Sequence, residues 1–90
     1  MSEKILVPRF RMIHVTSSNI ESYAYDVATS TLRIIFKGNN STYDYYDVPP
    51  HVPQELARRK ATGESIGKYV RQAVIGPDRK RPLYLFERVA

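Results

Sequence analysis

The sequence predicts an α+β fold: a small antiparallel β-meander of three to five strands, two helices packed on one face of it, and a β-like C-terminal segment. Three observations lead there. Residues 20–46 hold three short stretches of alternating polarity separated by turn residues, the pattern of strands joined by tight connections. Residues 51–76 hold two helical stretches divided by Thr62-Gly63 and ended by Gly76-Pro77. Ninety residues suffice for one modest core and leave no room for a second.

The elements follow in order. Ile5-Leu6-Val7, stopped by Pro8, makes residues 1–11 an arm or edge strand, because proline cannot donate to a central ladder. Met12 to Val15 is a second short apolar run, closed by the turn residues Thr16-Ser17-Ser18-Asn19. In Ile20 to Asp26, Tyr23 and Tyr25 share a face, and Asp26 can accept a hydrogen bond from the backbone of the turn ahead. Leu32, Ile34 and Phe36 alternate with Arg33, Ile35 and Lys37, so the first three should be the buried side. Gly38-Asn39-Asn40-Ser41 tolerates the positive φ of a tight turn. Tyr43 and Tyr45 then project together, and Tyr46 points the other way.

Val48-Pro49-Pro50 ends the sheet, and Pro53 still fits a first helical turn. Val52 and Leu56 stand one turn apart, and Arg58-Arg59-Lys60 crowd the last turn, where cations suit the helix dipole. Ser65 is a good N-cap for a second helix. Its stripe is Ile66, Tyr69, Val70, Ala73 and Val74, with Lys68, Arg71 and Gln72 opposite, and the stripe should cover Leu32, Ile34 and Phe36. Residues 77–90 comprise the basic loop Asp78-Arg79-Lys80-Arg81-Pro82 and an alternating segment. There Leu83, Leu85 and Val89 face one side and Tyr84 and Phe86 the other. Apolar on both faces, that segment should not stand free in water. It is expected to pair with Ile5–Val7 or to pack on another subunit, making Leu83, Tyr84, Leu85 and Phe86 a homo-oligomer contact.

Composition narrows the function classes. Apolar residues at 42% and charged residues at 26% are ordinary for a soluble domain. No apolar run approaches the roughly 20 residues of a membrane helix, and no signal-like segment opens the chain, so a cytoplasmic protein without a membrane partner is expected. With no cysteine there is no disulfide, thiolate metal site or cysteine nucleophile. His14 and His51 stand in no metal or triad spacing; His14 reads as structural within its apolar strand and His51 as an exposed first-turn residue. Asp44 and Asp47 at the strand–helix corner read as caps rather than as an acid–base pair. A small ribonuclease toxin would be expected to run helices before sheet, the reverse of this order. Neither catalysis, metal nor cofactor is expected.

Charge is unevenly placed. Residues 1–57 carry five Lys/Arg against six Asp/Glu, and residues 58–90 carry nine against three, a net +6 in the last third. Arg58, Arg59, Lys60, Lys68, Arg71, Arg79, Lys80 and Arg81 are therefore the candidate phosphate contacts, with arginine suited to bidentate bonding. Ser65, opening a helix beside Lys68, joins them as a candidate anion contact, although a plain cap explains it as well. The competing reading of the whole set is a solvated helix face and tail. Tyr43, Tyr45 and Tyr46 are the candidate base-stacking residues. Tyr43 and Tyr45, on the Leu32–Phe36 side, read first as core residues with hydroxyls at its rim, which leaves Tyr46 the better ligand candidate.

Several of these segments resemble a known family when taken together. Met12-Ile13-His14-Val15-Thr16-Ser17-Ser18-Asn19-Ile20 is followed by Tyr23-Ala24-Tyr25-Asp26 and Leu32-Arg33-Ile34-Ile35-Phe36-Lys37. Tyr43-Asp44-Tyr45-Tyr46 with Val48-Pro49 comes next, then Ser65-Ile66-Gly67-Lys68-Tyr69 with Gly76. This order resembles the KTSC domain, a short bacterial and phage module also found at the C-terminus of some lysyl-tRNA synthetases. The resemblance spans residues 12–76, leaving residues 1–11 and 77–90 outside it. The chain departs from the pattern in a longer Gly38–Ser41 turn and a longer link into Ser65. RNA binding, the role proposed for that family, is what the resemblance implies.

The functional expectation is a non-catalytic module that binds a phosphate-bearing ligand, RNA or other nucleic acid before others. Two alternatives come from other classes. One is a protein that sequesters small nucleotides at a subunit boundary; the other is an assembly module acting through Leu83–Val89 without nucleic acid.

Overall fold

The computed structural model describes residues 10–76 and 81–90. The expected Ile5–Val7 strand and the loop cations Arg79 and Lys80 lie outside the described residues. Five antiparallel strands form one sheet in chain order: β1 (Ile13–His14), β2 (Ile20–Asp26), β3 (Thr31–Phe36), β4 (Thr42–Tyr45) and β5 (Phe86–Arg88). Two helices, α1 (His51–Thr62) and α2 (Ile66–Val70), intervene between β4 and β5.

The turns close through their own polar side chains. Ser17 Oγ accepts from the N–H groups of Asn19 and Ile20, both at 3.3 Å. Asp26 accepts from the Thr29 N–H at 3.0 Å, and Asn39 Oδ1 from the Ser41 N–H at 3.2 Å. Gly38 and Asn40 take φ of +96° and +55°, the positive region that the sequence of that turn anticipates.

Register then sorts the sheet's faces. Leu32 pairs with Tyr25 and Tyr45, and Ile34 with Tyr23 and Tyr43, which puts all six on one face. Leu32 and Ile34 are fully buried there beneath Val48, Val52 and Leu56 and beneath Ile66, Val70 and Val74. The last three recur every four residues, so one helical stripe closes the core. The Tyr25 hydroxyl donates to the Val48 carbonyl at 2.5 Å and ties β2 to the linker into α1.

Both helices begin and end for local reasons. Gly63, at φ +79°, ends α1. Ser65 Oγ caps α2 by accepting from the Lys68 N–H at 3.2 Å. Beyond Val70 the helix widens to i→i+5 bonding over Arg71–Ile75, and the Gly76 N–H donates to the Arg71 carbonyl at 3.0 Å. The expected single helix through Val74 is thus an α-turn followed by a wider one.

Four further expectations change. The C-terminal segment pairs with β4 of the same chain, through Tyr43↔Arg88, Asp44↔Glu87 and Tyr45↔Phe86, and only three of its residues are strand. The edge of β4 supplies the partner in place of Ile5–Val7 or another subunit. Leu83 instead packs over Gly76, where a Cβ would stand 3.0 Å from its Cγ. Phe36, at the end of β3, is only half-buried, because it borders open clefts rather than the sealed core. His14 is not structural but exposed on the edge strand, 3.7 Å from Glu21. Asp44 and Asp47 do not cap: the N-cap of α1 is Pro50, with no side-chain cap bond, Asp44 pairs with Arg33, and Asp47 is an exposed residue at φ +55°.

Ile34→Ala should destabilise the domain by about 2–5 kcal/mol, the range for deleting a fully buried aliphatic chain. Phe36→Ala should cost visibly less, and Lys37→Ala, on an exposed position, almost nothing. Urea denaturation of the three variants checks the order.

Candidate nucleic-acid interface

A close approach between the first turn of α2 and the Ser17–Asn19 turn organises the cationic side of the molecule. A Cβ at Gly67 would stand 3.3 Å from Ser17 Oγ and 3.8 Å from Asn19 Nδ2, so the absent side chain is what lets helix and turn meet. Around that meeting point Ser18, Asn19, Ser65, Gly67, Lys68, Arg71 and Gln72 line an open cleft of about 390 Å³. Lys68 and Arg71 are exposed and form no ion pair among the described residues, so both charges are available to an anion.

Two further clefts extend from this one. Asn19, Gly67 and Arg71 also border a second, of about 380 Å³, together with Phe36 and Ile75. Phe36 and Ile75 in turn border a third, of about 390 Å³, which is lined mainly by Tyr43, Tyr45, Phe86, Val74 and Pro82, with Asn39 and Ser41 as polar members. Its rings touch in a row: Phe36 meets Tyr43 edge-on at 5.8 Å, Tyr43 meets Phe86 at 6.1 Å, and Phe86 meets Tyr45 at 5.8 Å. Burial pushes the Tyr45 hydroxyl up to about 12, so it stays neutral across the physiological range.

The candidate cations divide into two groups. Arg58 donates to both oxygens of Glu55 and, at 2.6 Å, to Glu64. Its hydrogen bonds pull both carboxyls below the ordinary glutamate range and raise its own pKa. Arg59 donates to the Ser65 carbonyl at 3.0 Å and lies 4.9 Å over the Tyr69 ring. These two arginines fasten the end of α1 to the start of α2. Lys60 and Arg81 are exposed but line none of the three clefts, and Ser65 contributes its edge while its hydroxyl is engaged as the cap.

The stacking candidates also separate. Tyr43 and Tyr45 belong to the aromatic cleft, whereas Tyr46 lies on the opposite face of the sheet. Its hydroxyl donates to Glu87, and that bond, before any other cause, pushes the phenol up to about 12. On the same face Arg33 makes a two-pronged bond to Asp44, at 2.7 and 2.9 Å, and its guanidinium covers the Phe10 ring at 4.1 Å. Asn19, Phe36 and Phe86 were absent from the sequence-derived candidates. Asn19 reads as turn chemistry, Phe36 as a core residue and Phe86 as a C-terminal contact; the fold sets Asn19 and Phe36 in clefts bordered by Arg71, and Phe86 among the rings of the aromatic cleft. The exposed His14 and His51 line none of the clefts.

The family model of the KTSC domain matches residues 16–76, which include every residue of the cationic cleft. The chain belongs to the KTSC domain family. It is 40% identical over 57 residues to a protein of Tsukamurella paurometabola, covering 63% of this chain and 84% of that one. It is 31% identical over 62 residues to a lysine–tRNA ligase of Nostoc punctiforme, covering 69% of this chain but only 11% of the ligase. The fold superposes on the crystal structure of a KTSC domain protein from Yersinia pestis with a TM-score of 0.67 at 23% identity, over 91% of this chain and 100% of that one. Within this KTSC domain, the aromatic cleft differs from the cationic one in drawing on Pro82 and Phe86, beyond the matched segment.

Gly67→Val should lower stability by about 1–3 kcal/mol, because the new side chain must displace the Ser17–Asn19 turn. Thermal unfolding followed by circular dichroism measures this, with Gln72→Ala on the exposed face of the same helical segment as the neutral control.

Proposed function

We propose that this KTSC domain is a non-catalytic nucleic-acid-binding module whose phosphate contacts are Lys68 and Arg71. The observation that carries the reading is the cationic cleft between α2 and the Ser17–Asn19 turn, where two cations without acidic partners among the described residues stand beside Ser18, Asn19 and Gln72. Arginine and lysine with amide and hydroxyl neighbours are the side chains that phosphate oxygens select. Of the basic set, Arg58 and Arg59 are already engaged with Glu55, Glu64, Ser65 and Tyr69, so their charges are partly spent inside the protein. The similarity of residues in this chain to part of a lysine–tRNA ligase, a protein named for an RNA substrate, agrees with the reading.

A second reading rests on a separate observation. Leu83, Leu85, Phe86 and Val89 are exposed along the C-terminal segment, Leu85 by 75%. An apolar strip of that kind suits assembly with another subunit or protein. Native mass spectrometry of the purified protein distinguishes the two, because it reports subunit number and any retained nucleotide together.

Binding to a pool of single-stranded RNA should weaken as salt rises. Lys68→Gln and Arg71→Gln should each weaken it further and flatten the log–log salt slope by about 0.7 per lost phosphate contact. Arg58→Gln should leave the slope unchanged. A titration at four salt concentrations measures all three.

A further inference from the structure

Three clefts with overlapping walls run in one direction along α2 and the wider turn that follows it. Arg71, Asn19 and Gly67 belong to the cationic and middle clefts, while Phe36 and Ile75 belong to the middle and aromatic ones. Charge therefore lies at one end of the track and aromatic surface at the other. From this order we infer that the track holds a single strand of nucleic acid, with phosphates on Lys68 and Arg71 and one unpaired base in the aromatic cleft. The inference rests on the binding reading above and adds the strandedness of the ligand and the site of base contact.

The aromatic cleft has the features an unstacked base requires. Its volume of about 390 Å³ falls within the roughly 300–1,000 Å³ of small-ligand pockets. Tyr43 and Phe86 offer ring faces or edges above the buried Tyr45, and Phe86 is 48% exposed, so its ring is open to stacking. Asn39 and Ser41 add polar groups at the wall for a base edge. A base inside a duplex is paired and stacked on both sides and cannot enter, whereas a base in a single strand can. Three adjoining compartments, each of small-ligand size, suit a strand that spans them better than a mononucleotide that fills one.

The test compares a single-stranded RNA octamer, the same octamer annealed to its complement, and adenosine monophosphate, against the full chain. The wild type should bind the single strand at least about tenfold more tightly than the duplex, as expected for a base stack the duplex cannot make. Phe86→Ala should reduce single-strand affinity by about 5- to 150-fold while leaving duplex affinity unchanged. Should Phe86→Ala fail to fold, the wild type supplies an independent reading. The chain has seven tyrosines and no tryptophan, so its emission is tyrosine emission, and single strand but not duplex should quench it through Tyr43 and Tyr45. Equal binding of single strand and duplex, with Phe86→Ala silent or no selective quenching, would overturn the inference and leave phosphate binding at Lys68 and Arg71 standing. Adenosine monophosphate binding as tightly as the octamer would overturn the strand in favour of a nucleotide site. Binding of neither RNA at low salt would remove the inference and the function it rests on.

Discussion

The structure depends on one seam, where Ile66, Val70 and Val74 lie against Leu32 and Ile34. Among the described residues, no other helical stripe reaches the Leu32–Ile34 face over three successive turns. Because the three residues repeat every fourth position, their burial fixes the rotation of the helical segment. That rotation presses Gly67 against the Ser17–Asn19 turn and turns Lys68 and Arg71 outward beside it. Core and cationic cleft are thus two sides of one packing decision. The wider turn at Arg71–Ile75 carries the same segment past the end of β3, where Phe36 and Ile75 join the cationic side to the aromatic one.

Electrostatics divides the basic third of the chain by geometry rather than by composition. The Glu55–Arg58–Glu64 cluster and Arg59 act at the α1–α2 joint, and their exposure keeps their contribution to stability small. Arg33 and Asp44 form a better-sheltered pair across β3 and β4, with Glu87 and Tyr46 beside them, on the sheet face away from the helices. Lys68 and Arg71 differ from these in having no internal acidic partner among the described residues. A net charge counted along the sequence cannot make that distinction.

The meander was legible because its signals are local. Tyr23, Leu32, Ile34 and Tyr45 show their faces by alternation, and Gly38 and Asn40 mark a turn by their tolerance of positive φ. Ser65 and Gly63 marked the helix boundaries for similar reasons. The partner of the C-terminal strand was not legible, since pairing of Phe86–Arg88 with Thr42–Tyr45 spans about half the chain and leaves no short-range trace. Arg58 likewise gave no sign of its use. Glu55 is one turn before it, but Glu64 reaches it only because Gly63 reverses the backbone. Of the proposed site, Lys68 and Arg71 were readable as the polar side of a helix. Asn19, Phe36 and Phe86 became neighbours of that site only through the sheet order and the seam.

The most direct test of this account is backbone amide chemical-shift mapping of the labelled domain titrated with a short single-stranded RNA. The account predicts that the perturbed amides trace the track, from Ser18, Asn19, Gly67, Lys68 and Arg71 through Phe36 and Ile75 to Tyr43 and Phe86. Perturbations confined to Arg58, Arg59 and Lys60, or to the Tyr46 face of the sheet, would contradict it.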